Sequence, residues 1–335
     1  MMASSAPTPL HDPPPVDLGP VMAAVVQPLS ATSLHAVHDA YAAGLITPVV
    51  IGDRRRFENL LRHIGIEPPD WMFHDIDDDA AAAERAAAMA EAEDVGLVIK
   101  GNVKTHVLMR AVLRNRRSSE ESGRLSHVFA IYMPEASYHK TLYVTDGAIN
   151  VSPSTDLMQM IADNAIDLLQ SQGIQRPKVA VLSAAETVNR SMPSSIEAAV
   201  VCERISARAD TLGPVALDVA LSRDAASVKG IESPVAGATD LVVCPNIESA
   251  NGIVKMAARQ PGTTIAGLVV GGSYPIVLPS RGDSKQSQLA SCALGRKYLA
   301  WSQYVTRRPS PRFASVAPTP RPVSPPINQA RIGIP

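Results

Sequence analysis

The stretch "PIVLPSRGDS" sets a hydroxyl (Ser280), a guanidinium (Arg281), a glycine (Gly282) and a carboxylate (Asp283) in a row, directly after an apolar run. Arg281 is a permanently charged fork that suits phosphate or carboxylate. Ser280 can donate to a developing oxyanion. Gly282 lets a ligand approach the backbone closely. Asp283 can act as a general base or as the N-cap of a following helix. The same four residues also make an ordinary surface turn with a capping aspartate, so the motif alone does not decide.

Three further stretches carry polar groups where apolar runs end. "DLVVCPNIESANGIVK" leads a strand into Asn246, Glu248, Asn251 and Lys255. Open α/β sheets bind ligands at the carboxyl ends of their strands. The alternative is a plain helix start, with Asn246 or Ser249 as cap, Glu248 facing the dipole and Lys255 in solvent. "KGNVKTHVLMRAVL" puts Lys100 and Gly101 at a strand end and Arg110 on the next helix, a junction that can hold phosphate. "GPVALDVALS" sets Asp218 inside an apolar run, where a carboxylate requires a partner. The basic runs Arg54 to Arg56 and Arg114, Arg116, Arg117 read as solvated faces or as phosphate contacts.

Other chemistries have weaker signals in the sequence, and a Ser-His-Asp triad assembled across a cleft stays open. All eight histidines lie at or before His139, and no G-x-S-x-G elbow presents a nucleophilic serine. No H-E-x-x-H or close cysteine/histidine cluster suggests a metal. The three cysteines, Cys202, Cys244 and Cys292, are far apart with no C-x-x-C, which fits a reducing cytoplasm. The formal net charge is -1, so no basic field favours nucleic acid or an anionic membrane. No apolar run reaches the ~18 residues of a membrane helix, and the first residues do not read as a signal peptide.

The elements that must position these groups alternate. "LITPVVIGD", "MFHDID", "VGLVIKG", "SHVFAIYMP", "KTLYVTDGAIN", "KVAVLSA", "TDLVVCP", "TIAGLVVGG" and "YPIVL" read as strands. Helical stretches lie between most of them, including "STDLMQMIADNAIDLLQSQG" with Ser154 as N-cap and Gly173 at its end. Near-continuous apolar strands alternating with helices indicate an α/β architecture of mostly parallel sheets flanked by helices. At 335 residues and 46% hydrophobic composition the chain can build about two domains. The expected division is an N-terminal arm (1–20), a first α/β lobe (21–150) completed by a helix at 284–305, a second lobe (151–283) carrying the S-R-G-D turn, and a Pro-rich tail (306–335). The arm and the tail are expected to be disordered. A cleft between the lobes is the expected ligand site.

The ordered set "KGNVKT", "LSHV", "TDGAIN", "PKVAVLSAAE", "GPVALD", "KGIESPVAG", "DLVVCPNIESANGIVK" and "PIVLPSRGDS" resembles the phosphate acetyltransferase/butyryltransferase family. The resemblance spans roughly 45–300 and is strongest over 178–284. It implies a two-lobed fold of the isocitrate/isopropylmalate dehydrogenase-like type, a cleft active site and a homodimer. It implies the reaction acyl-CoA + phosphate ⇌ acyl phosphate + CoA with a short-chain acyl group, acetyl to butyryl. Coenzyme A is then a substrate, and no tightly bound cofactor is expected. The family's serine-arginine pair falls on Ser280 and Arg281, and its helix arginine on Arg110. By resemblance Arg281 holds the phosphoryl group and Ser280 stabilises charge at the reacting carbonyl. The acetyl-type branch carries an aspartate where this chain has Ser287, whereas Asp283 directly after "SRG" resembles the butyryl-type branch. Ala250 stands where the family often has glycine. Two other readings compete: a CoA- or metabolite-binding homologue without turnover, and an NAD(P)-dependent dehydrogenase of the related fold, for which no G-x-G-x-x-G follows a strand.

Overall fold

The computed structural model describes residues 19–67, 70–116, 124–280 and 282–307. Arg281, nearly all of the expected arm and most of the expected tail lie outside the described residues.

One 11-stranded sheet runs through the molecule in the order β3-β2-β1-β4-β11-β10-β5-β6-β9-β7-β8. Its first block is β1 (Val21–Val26), β2 (Ile46–Gly52), β3 (Met72–Asp75), β4 (Leu97–Lys100) and β11 (Ile276–Val277), all parallel to one another. β10 (Thr264–Val270) and β5 (Ser126–Tyr132) follow as antiparallel neighbours. β6 (Leu142–Thr145) turns back on β5 and opens the second parallel block, with β9 (Leu241–Val243), β7 (Lys178–Leu182) and β8 (Asp210–Val215). Among the described residues seven of the ten strand pairings are thus parallel. The two blocks point in opposite directions. Strands from both sides of the 150/151 division therefore share this sheet, with β10 and β11 inserted between β4 and β5.

Helices cover both faces, which explains strands without polar alternation. One face packs against α1 (Ala31–Ala42), α5 (Thr155–Ser171), α6 (Pro193–Ile205) and α10 (Lys285–Arg307), whose apolar residues form one continuous core with Val25, Leu97, Val128, Val181 and Leu268. On the other face α3 (Asp79–Glu91) and α4 (Thr105–Asn115) pack with the first block. There α7 (Leu217–Leu221), α8 (Arg223–Val228) and α9 (Ile247–Ala257) pack with the second. α2 (Arg54–Ile64) closes a small cluster with Phe57, Leu61 and Leu34 outside β2. Arg54 sits over the Phe73 ring and pairs with Glu58, and Arg114 pairs with Glu84, so one residue of each basic run serves local structure, while Arg117 lies outside the described residues.

α10 solves a hydrogen-bonding problem in mid-sheet. β11 reaches only Leu268 and Val269 of β10, so no strand accepts from Ile265 N and Gly267 N on that side. Ser287 Oγ accepts from Ile265 N at 3.1 Å and Ser291 Oγ from Gly267 N at 3.0 Å. Four helical residues rise about 6 Å and two strand residues about 6.8 Å, so serines one turn apart meet alternate amides. Gly295 and Leu299 continue the same stripe: a Cβ on Gly295 would lie 3.0 Å from Leu97 Cδ1, and Leu299 fills the space above Gly96. Removing the Ser287 hydroxyl leaves a buried N–H unsatisfied. Ser287→Ala is expected to lower unfolding free energy by about 1–3 kcal/mol, measured by urea denaturation, with Ser287→Ala/Ser291→Ala losing more than either single change.

Two sequence readings change here. β1 and α1 are elements that the apolar pattern did not single out. Asp218 is not inside a buried run. "GPVALDVALS" divides into β8 and α7, and Asp218 lies exposed in the first turn of α7. Its partner is Lys229, whose Nζ lies 3.0 Å from Asp218 Oδ2 and 2.6 Å from Glu186 Oε1.

Candidate functional site

The chain leaves β1 toward α1 on one face and leaves β4 toward α4 on the other. β2 and β3 lie on one side of β1 and β4 on the other. The carboxyl ends of β1 and β4 therefore flank a topological switch point, where open α/β sheets form a ligand crevice. A cavity of about 190 Å³ opens there, lined by Ser30, Thr32, Lys100, Asn102, Ser280 and Gln288 among others. It is smaller than the ~300–1,000 Å³ of pockets that enclose whole drug-sized ligands, and of a size for one small anionic group.

Each side chain is held locally. Gly101 is required for closeness: a Cβ there would stand 2.4 Å from Gln27 O and 2.5 Å from Val26 O. Lys100 is buried, and its Nζ donates to Gly101 O at 3.1 Å. Ser30 caps α1, accepting from Ser33 N at 3.3 Å, and no acidic residue occupies the first turn of that helix. The N-terminal amides of α1 thus meet the crevice without a competing carboxylate.

The S-R-G-D segment forms the loop after β11. Asp283 is not the helix cap: Ser284 Oγ accepts from Ser287 N at 3.1 Å and fills that role for α10. The Asp283 carboxylate instead turns back, and its Oδ2 accepts from Ser280 N at 2.6 Å, while Asp283 N donates to Ser280 O at 3.1 Å. This ring fixes carboxylate and hydroxyl residue against each other. Burial raises the Asp283 pKa above the ordinary carboxylate value, opposed by the Ser280 N–H and by the positive charges of Lys255 and Lys100. Gly282 is exposed, and a Cβ there would meet nothing within 4 Å, so the fold itself does not require glycine. Arg281, between them in the sequence, lies outside the described residues.

Lys255 reaches this edge because α9 runs back across the sheet. β9 points away from the crevice, so α9 begins at the far edge and returns toward the amino end of β10. Its start and end consequently serve different places. Asn246 caps α9, accepting from Ser249 N at 2.9 Å, and Glu248 is exposed in the first turn. Asn251 Nδ2 donates to Gly147 O at 3.3 Å in the loop after β6, and buried Ala250 packs beside that glycine. That loop is organised by buried Asp146, which accepts from Ala148 N and Ile149 N at 3.0 Å and from Asn150 Nδ2 at 2.7 Å. Its pKa is raised by burial, against those bonds. Arg110 is exposed on α4. Along α4 a second cavity of about 610 Å³ is lined by Thr105, His106, Met109, Arg116, Leu125 and Ile149.

The structure therefore brings Ser280, Asp283, Lys100 and Lys255 to one edge and sets Asn246, Glu248 and Asn251 at the far end of α9. Ser30 and Thr32 line the crevice and buried Gln27 lies behind it, its backbone O accepting from Asn102 N; the sequence reading singled out none of the three. The available signal was "VMAAVVQPLSATS", an apolar run ending at a polar residue followed by a hydroxyl-rich helix start. The cysteines are not candidates for nucleophiles: all three are buried, and burial raises Cys202 to about 11 and Cys244 and Cys292 to about 12. Among the described residues no group of three or more His, Cys, Asp or Glu could hold a metal ion. No helix there is long and apolar enough to cross a membrane.

Among the described residues the most strongly shifted histidine is His127, at the amino end of β5. Its ring packs on Phe129 with centroids 4.2 Å apart and over Gly267, where a Cβ would lie 2.9 Å from Cε1. Among the described residues neither ring nitrogen has a hydrogen-bond partner, and burial drives the pKa from 6.5 to about 3. A depressed histidine contributes stability in full above its unfolded pKa and loses it as pH falls from 6.5 toward the folded value. The slope is at most about 1.4 kcal/mol per pH unit. His127→Leu is therefore expected to lose about 2 kcal/mol less than wild type between pH 6.5 and about pH 5, read by urea denaturation at both pH values.

A switch-point crevice lined by hydroxyls and Lys100, beside a carboxylate tied to a serine amide, defines an α/β protein whose strand ends suit an anionic ligand. Comparison with known proteins narrows that class. The chain belongs to the phosphate acetyl/butaryl transferase family, whose profile matches residues 78–295. It is 37% identical over 285 residues to a phosphate acetyltransferase of Rhizobium meliloti, covering 84% of this chain and 90% of the relative. It is 33% identical over 266 residues to a phosphate butyryltransferase of Clostridium acetobutylicum, covering 78% and 87%. Among solved structures, a branched-chain phosphotransacylase from Enterococcus faecalis V583 superposes with a TM-score of 0.70 at 28% identity, over 83% of this chain and 99% of that one.

Proposed function

We propose that this enzyme transfers a short-chain acyl group, acetyl to butyryl, between coenzyme A and inorganic phosphate: acyl-CoA + phosphate ⇌ acyl phosphate + CoA. The observation that carries the reading is the meeting of Ser280, Asp283, Lys100 and Lys255 at the carboxyl edge of β4 and β11 in a chain of this family. Phosphate enters the small crevice, held by Arg281, Lys100 and the amino end of α1. The thioester carbonyl lies against Ser280, whose hydroxyl donates to the oxygen as it gains charge. A phosphate oxygen attacks the carbonyl carbon, the C–O bond forms and the C–S bond breaks. The proton given up by phosphate ends on the CoA sulfur, and Asp283 carries it. In reverse Asp283 takes the thiol proton, whose ordinary pKa of about 8.5 leaves little thiolate at neutral pH. Burial brings the Asp283 pKa closer to the working range of a general base, the direction such catalysis needs.

Gly282 gives the ligand room beside the backbone. The larger cavity along α4, with apolar Met109, Leu125 and Ile149 beside His106 and Arg116, suits the CoA arm. Arg110 then contacts a CoA phosphate from the same helix. Asn246, Glu248 and Asn251 act at one remove, by holding α9 and the loop after β6. Two lobes meet along this cleft in our reading, and the enzyme works as a homodimer in the cytoplasm, a compartment that suits its free thiols.

Ser287 gives a second reading some support. The position at which the resemblance places the acetyl-type base is bound into the sheet and does not reach a substrate. If Asp283 does not replace it, the chain binds CoA without turnover. The test is release of free thiol from acetyl-, propionyl- and butyryl-CoA with and without phosphate. Phosphate-dependent release supports transfer and gives the chain preference. CoA binding without release sinks it.

A further inference from the structure

We infer that Gln27 is a positioning residue that holds the phosphate-side wall of the crevice in place, an inference that rests on the acyl-transfer reading above. Gln27 is the first residue after β1 and is buried. Its φ of 51° is the left-handed region, uncommon for a residue other than glycine. A side chain kept there must be needed, and every polar group of Gln27 is used. Oε1 accepts from Asp53 N at 3.3 Å, in the turn after β2. Nε2 donates to Ile76 O at 3.2 Å and to Asp77 O at 3.1 Å, in the turn after β3. The backbone N donates to Ile51 O at 2.8 Å, and the backbone O accepts from Leu29 N at 2.8 Å and Asn102 N at 2.7 Å.

One residue thus ties together the ends of β1, β2, β3 and β4. The tie bears on the crevice from both walls. Asn102 follows Lys100 and Gly101, and its Oδ1 accepts from Leu29 N at 3.1 Å, next to the Ser30 cap of α1. Shifting Gln27 moves the amino end of α1 against the end of β4, so the anion groups lose their common focus. Gly52 records the same closeness: a Cβ there would lie 2.7 Å from Gln27 Oε1. Gln27 touches neither Ser280 nor the loop after β11 in any of these bonds, so it acts through other residues.

The test compares Gln27→Met, which keeps length and removes the amide, with Leu168→Ala, a core change on α5 chosen to lower Tm independently of the crevice. Two readouts are taken: KM for phosphate against KM for acyl-CoA, and the rise in Tm that inorganic phosphate produces. The expected result is a phosphate KM raised at least about tenfold, an acyl-CoA KM within about twofold, and loss of the phosphate-induced Tm rise. Leu168→Ala should change none of the three. A lower Tm with both KM values unchanged would make Gln27 structural and overturn the inference. If wild type releases no CoA, the acyl-transfer reading fails first, and the phosphate-induced Tm rise alone decides: its loss in Gln27→Met supports positioning, its persistence overturns it. Absence of that rise in wild type removes the phosphate site and the inference with it. Should Gln27→Met fail to fold, Gln27→Glu is read instead, since it keeps the bond from Asp53 N and loses both donors.

Discussion

Asp283→Asn is expected to lower kcat by about 10²- to 10⁴-fold while leaving the fold and CoA binding near wild type. Asparagine is nearly isosteric and keeps an oxygen to accept from Ser280 N, so the ring that joins residues 280 and 283 survives. What it loses is the proton acceptor. The sign of the pH effect follows from the environment. Asp283 works as a carboxylate, and burial raises its pKa. Wild-type activity should therefore climb with pH through a midpoint above the ordinary value of about 3.9, and that limb should be missing from the residual activity of Asp283→Asn. A variant with wild-type kcat would show that another group moves the proton.

Arg281→Ala is expected to lose about 10²- to 10³-fold in phosphate-dependent turnover, with an unchanged circular dichroism spectrum and Tm. Arg281→Lys should recover little. A guanidinium presents a planar fork to phosphate, and an ammonium offers one point of charge. The loss should appear chiefly in the phosphate dependence, because acyl-CoA is held elsewhere in the proposed arrangement. Steady-state kinetics with each substrate varied in turn separates the two. Wild-type rates in Arg281→Ala would move the site away from the loop after β11.

The central strands were legible because burial on both faces leaves near-continuous apolar runs such as "VGLVIKG" and "TIAGLVVGG". β1 and α1 were not. β1 contains Ala23 and Ala24, weak strand formers, and the buried stripe of α1 is Ser33, Leu34, Ala36, Val37 and Ala40, in which only Leu34 and Val37 are large apolar residues. The S-R-G-D turn stood out by residue type, but its geometry did not. Asp283 read equally as a cap, and only the bond that Ser284 Oγ accepts from Ser287 N frees it for another role. Asn246 and Lys255 looked like one cluster because they are near in sequence. On a helix they are about 13 Å apart, and the reversal of β9 sends them to opposite edges of the sheet. Ser287 is the opposite case. Its hydroxyl could not be assigned from the sequence, since the Ile265 amide it satisfies lacks a strand partner only because β11 covers no more of β10 than Leu268 and Val269. Gln27 escaped for a similar reason: its three side-chain partners come from turns 26, 49 and 50 residues away.

The account stands on acyl transfer to phosphate, so the most direct measurement is the product balance. Acyl-CoA is incubated with radiolabelled phosphate, and free thiol is counted against label recovered as hydroxylamine-sensitive acyl phosphate. The account predicts one acyl phosphate for each thiol released, with no release when phosphate is left out. Thiol released without phosphate would mean hydrolysis, and neither product with CoA still bound would mean a binding protein; either result contradicts it.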